Sequence, residues 1–426
     1  MAVSDKRTAR AGKGATLKSS PCQTRTSYWA CLVILLTAGT NAQSVSISVF
    51  NPSPAERSNE PVIVPWSELR NAFSSKDFGR LRLVDGSNRS LPFQIDDLDG
   101  DRTPDELAFQ LTLDAKETRE VILTAERDSL ASPHGPLRTD AANYKRISGR
   151  SQPIDDDDGP GTLRRDGHYP FDGVGWESEV IAYRLYLDER NAIDIQGKRL
   201  PGLHWNFIGS SGVDYQKDAY WGMDVLHVGP ALGIGGFGFW ANDSVAHPYM
   251  LDRRRTRIVA RGPVRCIVSV EYKGWDIGKE KVDVTSILSL FSADRFTENR
   301  LYLRSGAPQT VATGIVKHAT AKGSWDGATS TLMTIGAQSR SGDSLLMALA
   351  FTPVSVVQKR EDAPNHLVLL RITKDEPLRY LIFSRWQGEG AARWDQDLLS
   401  SDVVSAHRRL NEPLRVRISI SGSKKH

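Results

Sequence analysis

Leu107-Ala108-Phe109-Gln110-Leu111-Thr112-Leu113 puts a large apolar side chain on every second residue. That is the period of a strand with one face buried, and it does not fit the 3.6-residue repeat of a helix. Val264-Arg265-Cys266-Ile267-Val268 alternates in the same way. Leu81–Val84 leads through Asp85-Gly86-Ser87-Asn88 into Leu91–Ile95, a hairpin pattern. Strand-like runs recur at Ser44–Val49, Pro61–Val64, Val121–Leu123, Val180–Leu187, Ile258–Tyr272, Val282–Phe291, Asn299–Leu303, Ser344–Phe351, His366–Arg371 and Arg379–Ser384. Helical signals are confined to Trp394–Leu399 and Ser401–Leu410. The sequence therefore predicts an all-β protein: a small β-sandwich domain over 43–126 and a large antiparallel two-sheet β-sandwich over 170–426, supersandwich-like in scale. Between them, 127–169 loses the apolar pattern and is expected to be a linker or lid.

The 426 residues are 39% hydrophobic with 35 glycines, which excludes a disordered, collagenous or coiled-coil chain as an overall description. The formal charge of +4 comes from the start of the chain. Residues 1–42 hold six Lys/Arg and the single acid Asp5, so the remainder carries a net charge of −1 and nucleic acid is not an expected partner. The basic stretch, the apolar run Trp29–Ala38 and Thr40-Asn41-Ala42 before Gln43 form the pattern of a secretory signal peptide cleaved near Ala42. The run is too short to span a membrane. An exported, periplasmic or extracellular protein is expected, with no membrane association after cleavage. Cys22 and Cys31 fall in the leader, so Cys266 is left as the only cysteine and no internal disulfide forms. Its place in an alternating strand marks it as a buried hydrophobe.

Asp97-Leu98-Asp99-Gly100-Asp101-Arg102-Thr103-Pro104-Asp105-Glu106 offers carboxylates at loop positions 1, 3, 5 and 9, with the Thr103 carbonyl at position 7. Hard oxygen donors at alternate positions of a tight loop suit Ca²⁺ in a structural role. Arg102 stands where glycine would ease the turn. Asp155–Asp158 is a run of consecutive acids that cannot converge on one ion, and reads as a solvated loop.

Chemistry concentrates in 173–250. Trp176, Trp205, Trp221 and Trp240 are interleaved with Asp, Glu, His and Tyr, the combination that stacks on and hydrogen-bonds a sugar. Arg184, Lys217, Asp224 and His318 are the candidate polar contacts. His204, Tyr215, His227 and His247 are candidate acid–base groups. Glu177 and Glu179, two apart on a strand, are expected to share a face, one raising the other's pKa. The sequence carries no G-x-S-x-G, H-E-x-x-H, Walker or C-x-x-C motif.

The runs Gln94–Phe109 (QIDDLDGDRTPDELAF), Gly175–Lys198 (GWESEVIAYRLYLDERNAIDIQGK) and Trp221–Gly238 (WGMDVLHVGPALGIGGFG) resemble the DUF4861 family of secreted bacterial proteins. The resemblance covers nearly the whole chain after the leader, and Arg102 is its clearest departure. It implies a setting in the breakdown of uronic-acid-containing polysaccharides of plant or algal walls, with an oligosaccharide dehydratase as the implied activity. An acidic oligosaccharide is then the expected partner and dehydration or elimination the expected reaction. The alternatives are a non-catalytic carbohydrate-binding protein and a glycoside hydrolase using paired carboxylates. The clustered ionisable residues favour an enzyme.

Overall fold

Antiparallel ladders account for nearly all regular structure in the computed structural model, which describes residues 44–126, 135–159, 161, 169–170, 172–205, 208, 214–307, 309–390 and 394–421. Residues 1–43, with Cys22 and Cys31 and the expected signal peptide, lie outside the described residues, as do 127–134, 160 and 162–168 of the expected linker. Ala42–His426 form one compact unit.

Near the N-terminus, a three-stranded sheet (Arg57–Pro65, Glu106–Leu113, Phe93–Asp96) and a five-stranded sheet enclose a core of their own that includes Val45, Ile47, Trp66, Leu107, Phe109 and Leu123. The alternation in 107–113 is borne out, because Leu107, Phe109, Leu111 and Leu113 all point into this core. The five-stranded sheet takes its edge from the far end of the chain. Arg415–Ser421 pairs along the whole of Ser44–Phe50, so the last strand joins the N-terminal sandwich, whereas the sequence had assigned it to the large domain.

The large sandwich sets a nine-stranded sheet against a six-stranded and a five-stranded sheet, with one apolar core between the layers. A β-bridge between Ile193 and Gly233 links the two smaller sheets. Gly233 has φ +71°, and a Cβ there would lie 1.9 Å from the Ile193 carbonyl oxygen, so only glycine allows this approach. On the outer face of the nine-stranded sheet lies one α-helix, Gln396–Asn411, started by Asp395, whose side chain accepts from Asp397 N at 2.7 Å. Leu399, Val403, Ala406 and Leu410 form its buried stripe against Leu346, Ala348, Leu381 and Phe383. Among the described residues no helix is long and apolar enough to cross a membrane.

The expected linker is built into the sheets. Thr139–Ile147 and Arg150–Pro153 complete one side of the six-stranded sheet, and Asp156–Gly159 forms an edge of the nine-stranded one. The acidic run is thus a strand rather than a solvated loop. It pairs with the basic strand Arg253–Ala260. Asp156 meets Arg255 at 2.6 Å, Asp158 pairs with Arg253, and Asp155 meets Arg261 at 2.6 Å. Charge complementarity along this edge does what apolar alternation does elsewhere, which is why hydrophobic periodicity missed it. Cys266 is fully buried, as expected, and burial pushes its thiol up to about 12.

Candidate functional site

The six-stranded sheet has two unlike faces. Val174, Trp176, Ile181, Tyr183, Leu185, Ile193, Ile195 and Met223 point into the main core. Their alternates, Asp140, Glu177, Arg184, Asp194, Gln196, Lys198 and Asp224, lie on the other face and are all buried. The register lines up Asp140, Glu177, Ala182, Gln196 and Asp224 as one row across five strands. Trp205, Ile208 and Trp221, with half-buried Tyr215 and Ala219, cover this face. Gly175 makes the fit possible, since a Cβ there would lie 2.4 Å from the Trp205 indole. Charges in such a place persist only when paired and hydrogen-bonded.

Two groups result. In the first, the Arg184 guanidinium pairs with Asp194, donates to the Tyr215 hydroxyl at 2.9 Å and to that of Tyr186, and lies 3.8 Å from Asp224. It also stacks 4.3 Å from the Tyr186 ring centre, with Arg190 at 4.0 Å from the same ring. Asp224 accepts from Arg340 Nη2 at 3.2 Å and from Leu226 N at 3.2 Å. Burial, with the Asp194 charge beside it, pushes the Asp224 carboxyl up to about 7 in spite of Arg184 and Arg340. Arg340, with 28% of its side chain exposed, and half-buried Tyr215 give this group its access to solvent.

In the second group, Lys198 donates to Glu177 and, at 2.6 Å each, to the carbonyls of Ser178 and Gly202. The other Glu177 oxygen accepts from His204 N and Trp205 N, both at 2.7 Å. Burial raises the Glu177 carboxyl and lowers the Lys198 ammonium. This pair anchors the start of the covering segment.

Several expected site residues take other places. Glu177 and Glu179 do not share a strand face: the strand Gly173–Ser178 ends before Glu179, which accepts from Arg138 and Ala293 N, each at 2.6 Å. Trp176 is a core side chain, stacked on Tyr183 and donating to Thr297 Oγ1 at 2.8 Å. Trp205 and Trp221 belong to the covering layer and are 1% exposed, so they offer no open stacking platform. Trp240 is half-buried on Ile234–Ala241. Lys217 is exposed and pairs with Asp214 at 3.2 Å. His204 lies 5.6 Å from the Trp221 ring, and burial and the Lys198 charge lower its pKa. His247 Nδ1 sits 3.3 Å from the Arg190 carbonyl oxygen. His227 is exposed, and its charge, after burial, depresses His318. The predicted residues that the structure brings together are thus Arg184, Tyr215 and Asp224 in one group, and Glu177 with the backbone of His204 and Trp205 in the other. Asp194, Tyr186, Arg340, Gln196 and Lys198 were missed. In Ile193-Asp194-Ile195-Gln196-Gly197-Lys198 polar residues simply alternate with apolar ones, and the residues that cover them come from another stretch of the chain.

In the acidic loop, carboxylate oxygens of Asp97, Asp99 and Asp105 lie within 4.8 Å of one another, a spacing that could hold a metal ion. Asp97 also accepts from Gly100 N and Arg102 N, and Asp105 from Leu98 N at 2.6 Å. Asp101 is not in that group; its Oδ1 accepts from Thr103 N at 2.6 Å. Arg102 takes φ +71°, the left-handed conformation that glycine adopts more easily. Burial and repulsion from Asp99 and Asp97 raise the Asp105 carboxyl.

No curated protein matches the chain. Among solved structures it is similar to a protein in the Glycosyl Hydrolase Family 38 from Enterococcus faecalis, at 8% identity and a TM-score of 0.45 over 89% of this chain. The chain spans about half the length of that protein, covering 47% of it. A family model described as "Domain of unknown function (DUF4861)" matches residues 49–416, and the chain belongs to this DUF4861 family.

Proposed function

We propose that this protein is an exported enzyme that removes water from, or cleaves by elimination, a uronic-acid-containing oligosaccharide at the Arg184–Asp224 group. One observation carries the reading: a carboxyl poised near pH 7 lies buried between two guanidiniums, with a tyrosine hydroxyl on one of them. Eliminating water from a uronate needs those parts. A base takes the proton from the carbon next to the carboxylate, and the electron pair moves to form C=C. The C–O bond at the next carbon breaks, and the departing hydroxyl takes a proton and leaves as water. Asp224 in its ionised form is the base. Arg340 and Arg184 balance the charge that builds on the substrate carboxylate, and Tyr215 is the acid. Burial of Trp176, Trp205 and Trp221 argues against a module that merely stacks sugars on open aromatic faces.

The acidic loop is assigned a Ca²⁺ ion held by Asp97, Asp99 and Asp105, stabilising the turn and taking no part in the reaction. The test of function is incubation with a panel of uronate oligosaccharides, followed by mass spectrometry and by the ultraviolet absorbance of a carboxylate-conjugated C=C. Loss of one water without chain shortening establishes a dehydratase, and shortening with the new absorbance a lyase. Shortening by addition of water sinks the elimination reading.

A further inference from the structure

Gln196 stands apart from its neighbours on the polar face. It is fully buried, yet among the described residues neither Oε1 nor Nε2 has a hydrogen-bond partner. Leaving buried donors and acceptors unpaired is costly, so such groups call for a specific explanation. Along its strand Gln196 lies between Asp194 and Lys198, and across the sheet it pairs with Ala182 on one side and Asp224 on the other. Ala182 contributes only a methyl group, and Trp221 packs in the layer over it. Trp221 Nε1 is buried and, among the described residues, also unpartnered. One unsatisfied polar group therefore lies on the sheet face, beside the strand partner assigned the proton transfer, and a second lies in the layer that covers this face.

Their chemistry is informative. An anion would be met by donors alone. Here Gln196 Oε1 needs a donor while Gln196 Nε2 and Trp221 Nε1 need acceptors. A hydroxyl is both donor and acceptor, and the hydroxyls of a sugar ring satisfy this set where a second carboxylate would not. A site built to hydrogen-bond a hydroxyl discriminates strongly, because the wrong ligand leaves its polar groups unpaired.

We propose that Gln196 is a specificity-determining residue of the Asp224 site, its amide reading ring hydroxyls of the uronate whose carboxylate Arg340 and Arg184 hold. The inference rests on the functional reading above. The sugar enters past Tyr215 and Arg340, the parts of the group that reach solvent.

The test is calorimetric titration of glucuronate, galacturonate and mannuronate, which differ in ring-hydroxyl configuration, into the wild-type protein, Gln196→Met and Arg340→Ala. The wild type is expected to prefer one epimer by about tenfold or more. Gln196→Met should bind that epimer about tenfold more weakly and lose the preference, with its melting temperature unchanged or raised because two unpaired polar atoms leave the interior. If Gln196→Met folds poorly, Gln196→Glu, which keeps the shape and replaces a donor with an acceptor, should lose the preference as well. An unchanged preference in either variant overturns the proposal, as does a wild type that does not discriminate. Loss of binding in Arg340→Ala with an unchanged Gln196→Met overturns the proposal alone. A wild type that binds none of the three overturns the functional reading, and this inference with it.

Discussion

Asp224 and Arg340 meet at 3.2 Å although 116 positions separate them along the chain. Asp224 ends a strand of the six-stranded sheet, while Arg340 follows the strand Thr331–Gly336 at the far side of the nine-stranded one. The Arg340 backbone N–H is held at 2.8 Å by the Val225 carbonyl, so chain and side chain are fixed together. The contact joins the two layers of the sandwich at the mouth of the polar face.

Asp224 gives the first prediction. Its carboxyl titrates at about 7 in the folded protein against an ordinary 3.8. The fold therefore favours the protonated form. That contribution to stability is complete below pH about 4 and is lost as pH rises to about 7, in all about 4 kcal/mol. Asp224→Asn should flatten the stability curve over this range, as measured by urea unfolding at a series of pH values. For turnover, the wild-type rate should rise through pH about 7 as the base ionises. The Asn variant should lose that limb and at least about a hundredfold in rate. A pH limb that survives in Asp224→Asn belongs to another group.

Glu177 and Lys198 give the second. Both side chains are fully buried and satisfy each other. Lys198→Met leaves the Glu177 carboxylate without its cation and should cost about 3–5 kcal/mol. Adding Glu177→Gln should recover part of that loss, because the uncompensated charge is gone while an amide oxygen still accepts from His204 N and Trp205 N. Denaturant unfolding of both single variants and the double variant measures the coupling, and purely additive losses would refute it.

The contrast between these pairs and the fold shows what the sequence made legible. Strands such as Leu107–Leu113 announced themselves because one apolar face against one core leaves a period of two. The grouping of Asp97, Asp99 and Asp105 was legible because the three are close together in sequence. Arg340 and Asp224 could not be joined in this way, since nothing local records a contact across two layers. Trp176 illustrates the opposite error. A tryptophan interleaved with polar residues looked like a binding face, but Trp176 alternates into the core and its neighbours Gly175 and Glu177 face the covered side. The sequence shows alternation without showing which face water reaches. Asp155–Asp158 was misread for the same reason, its partners being arginines about a hundred residues downstream.

The acidic loop gives a third prediction. Addition of Ca²⁺ to metal-stripped protein should raise the melting temperature, and Asp99→Asn should weaken that response. Arg102→Gly removes a side chain from a left-handed backbone position, where a non-glycine residue is strained by about 1 kcal/mol. It should bind Ca²⁺ more tightly and raise stability even without the ion. Scanning calorimetry with and without chelator tests both effects, and an identical melting temperature in all conditions would remove the ion from the assignment.

The chain terminus gives a fourth. Arg415–Ser421 forms seven residue pairs with Ser44–Phe50, and Val416, Ile418 and Ile420 are half-buried against the N-terminal core. Ending the chain at Leu414 strips those three aliphatic side chains from the core and exposes Ser44–Phe50 as a sheet edge with unpaired backbone groups. Half-burial of three such side chains stabilises by about 3 kcal/mol, and an open edge invites pairing with a second copy. The truncated protein should therefore unfold at lower denaturant and associate at raised concentration, as seen by light scattering. The Arg184–Asp224 group draws its contacts from residues 184–340, which lie in the other sandwich. Below the new transition, uronate binding should consequently survive. Loss of binding at temperatures where the truncated chain is still folded would mean that the terminal strand supports the site as well as the N-terminal sheet.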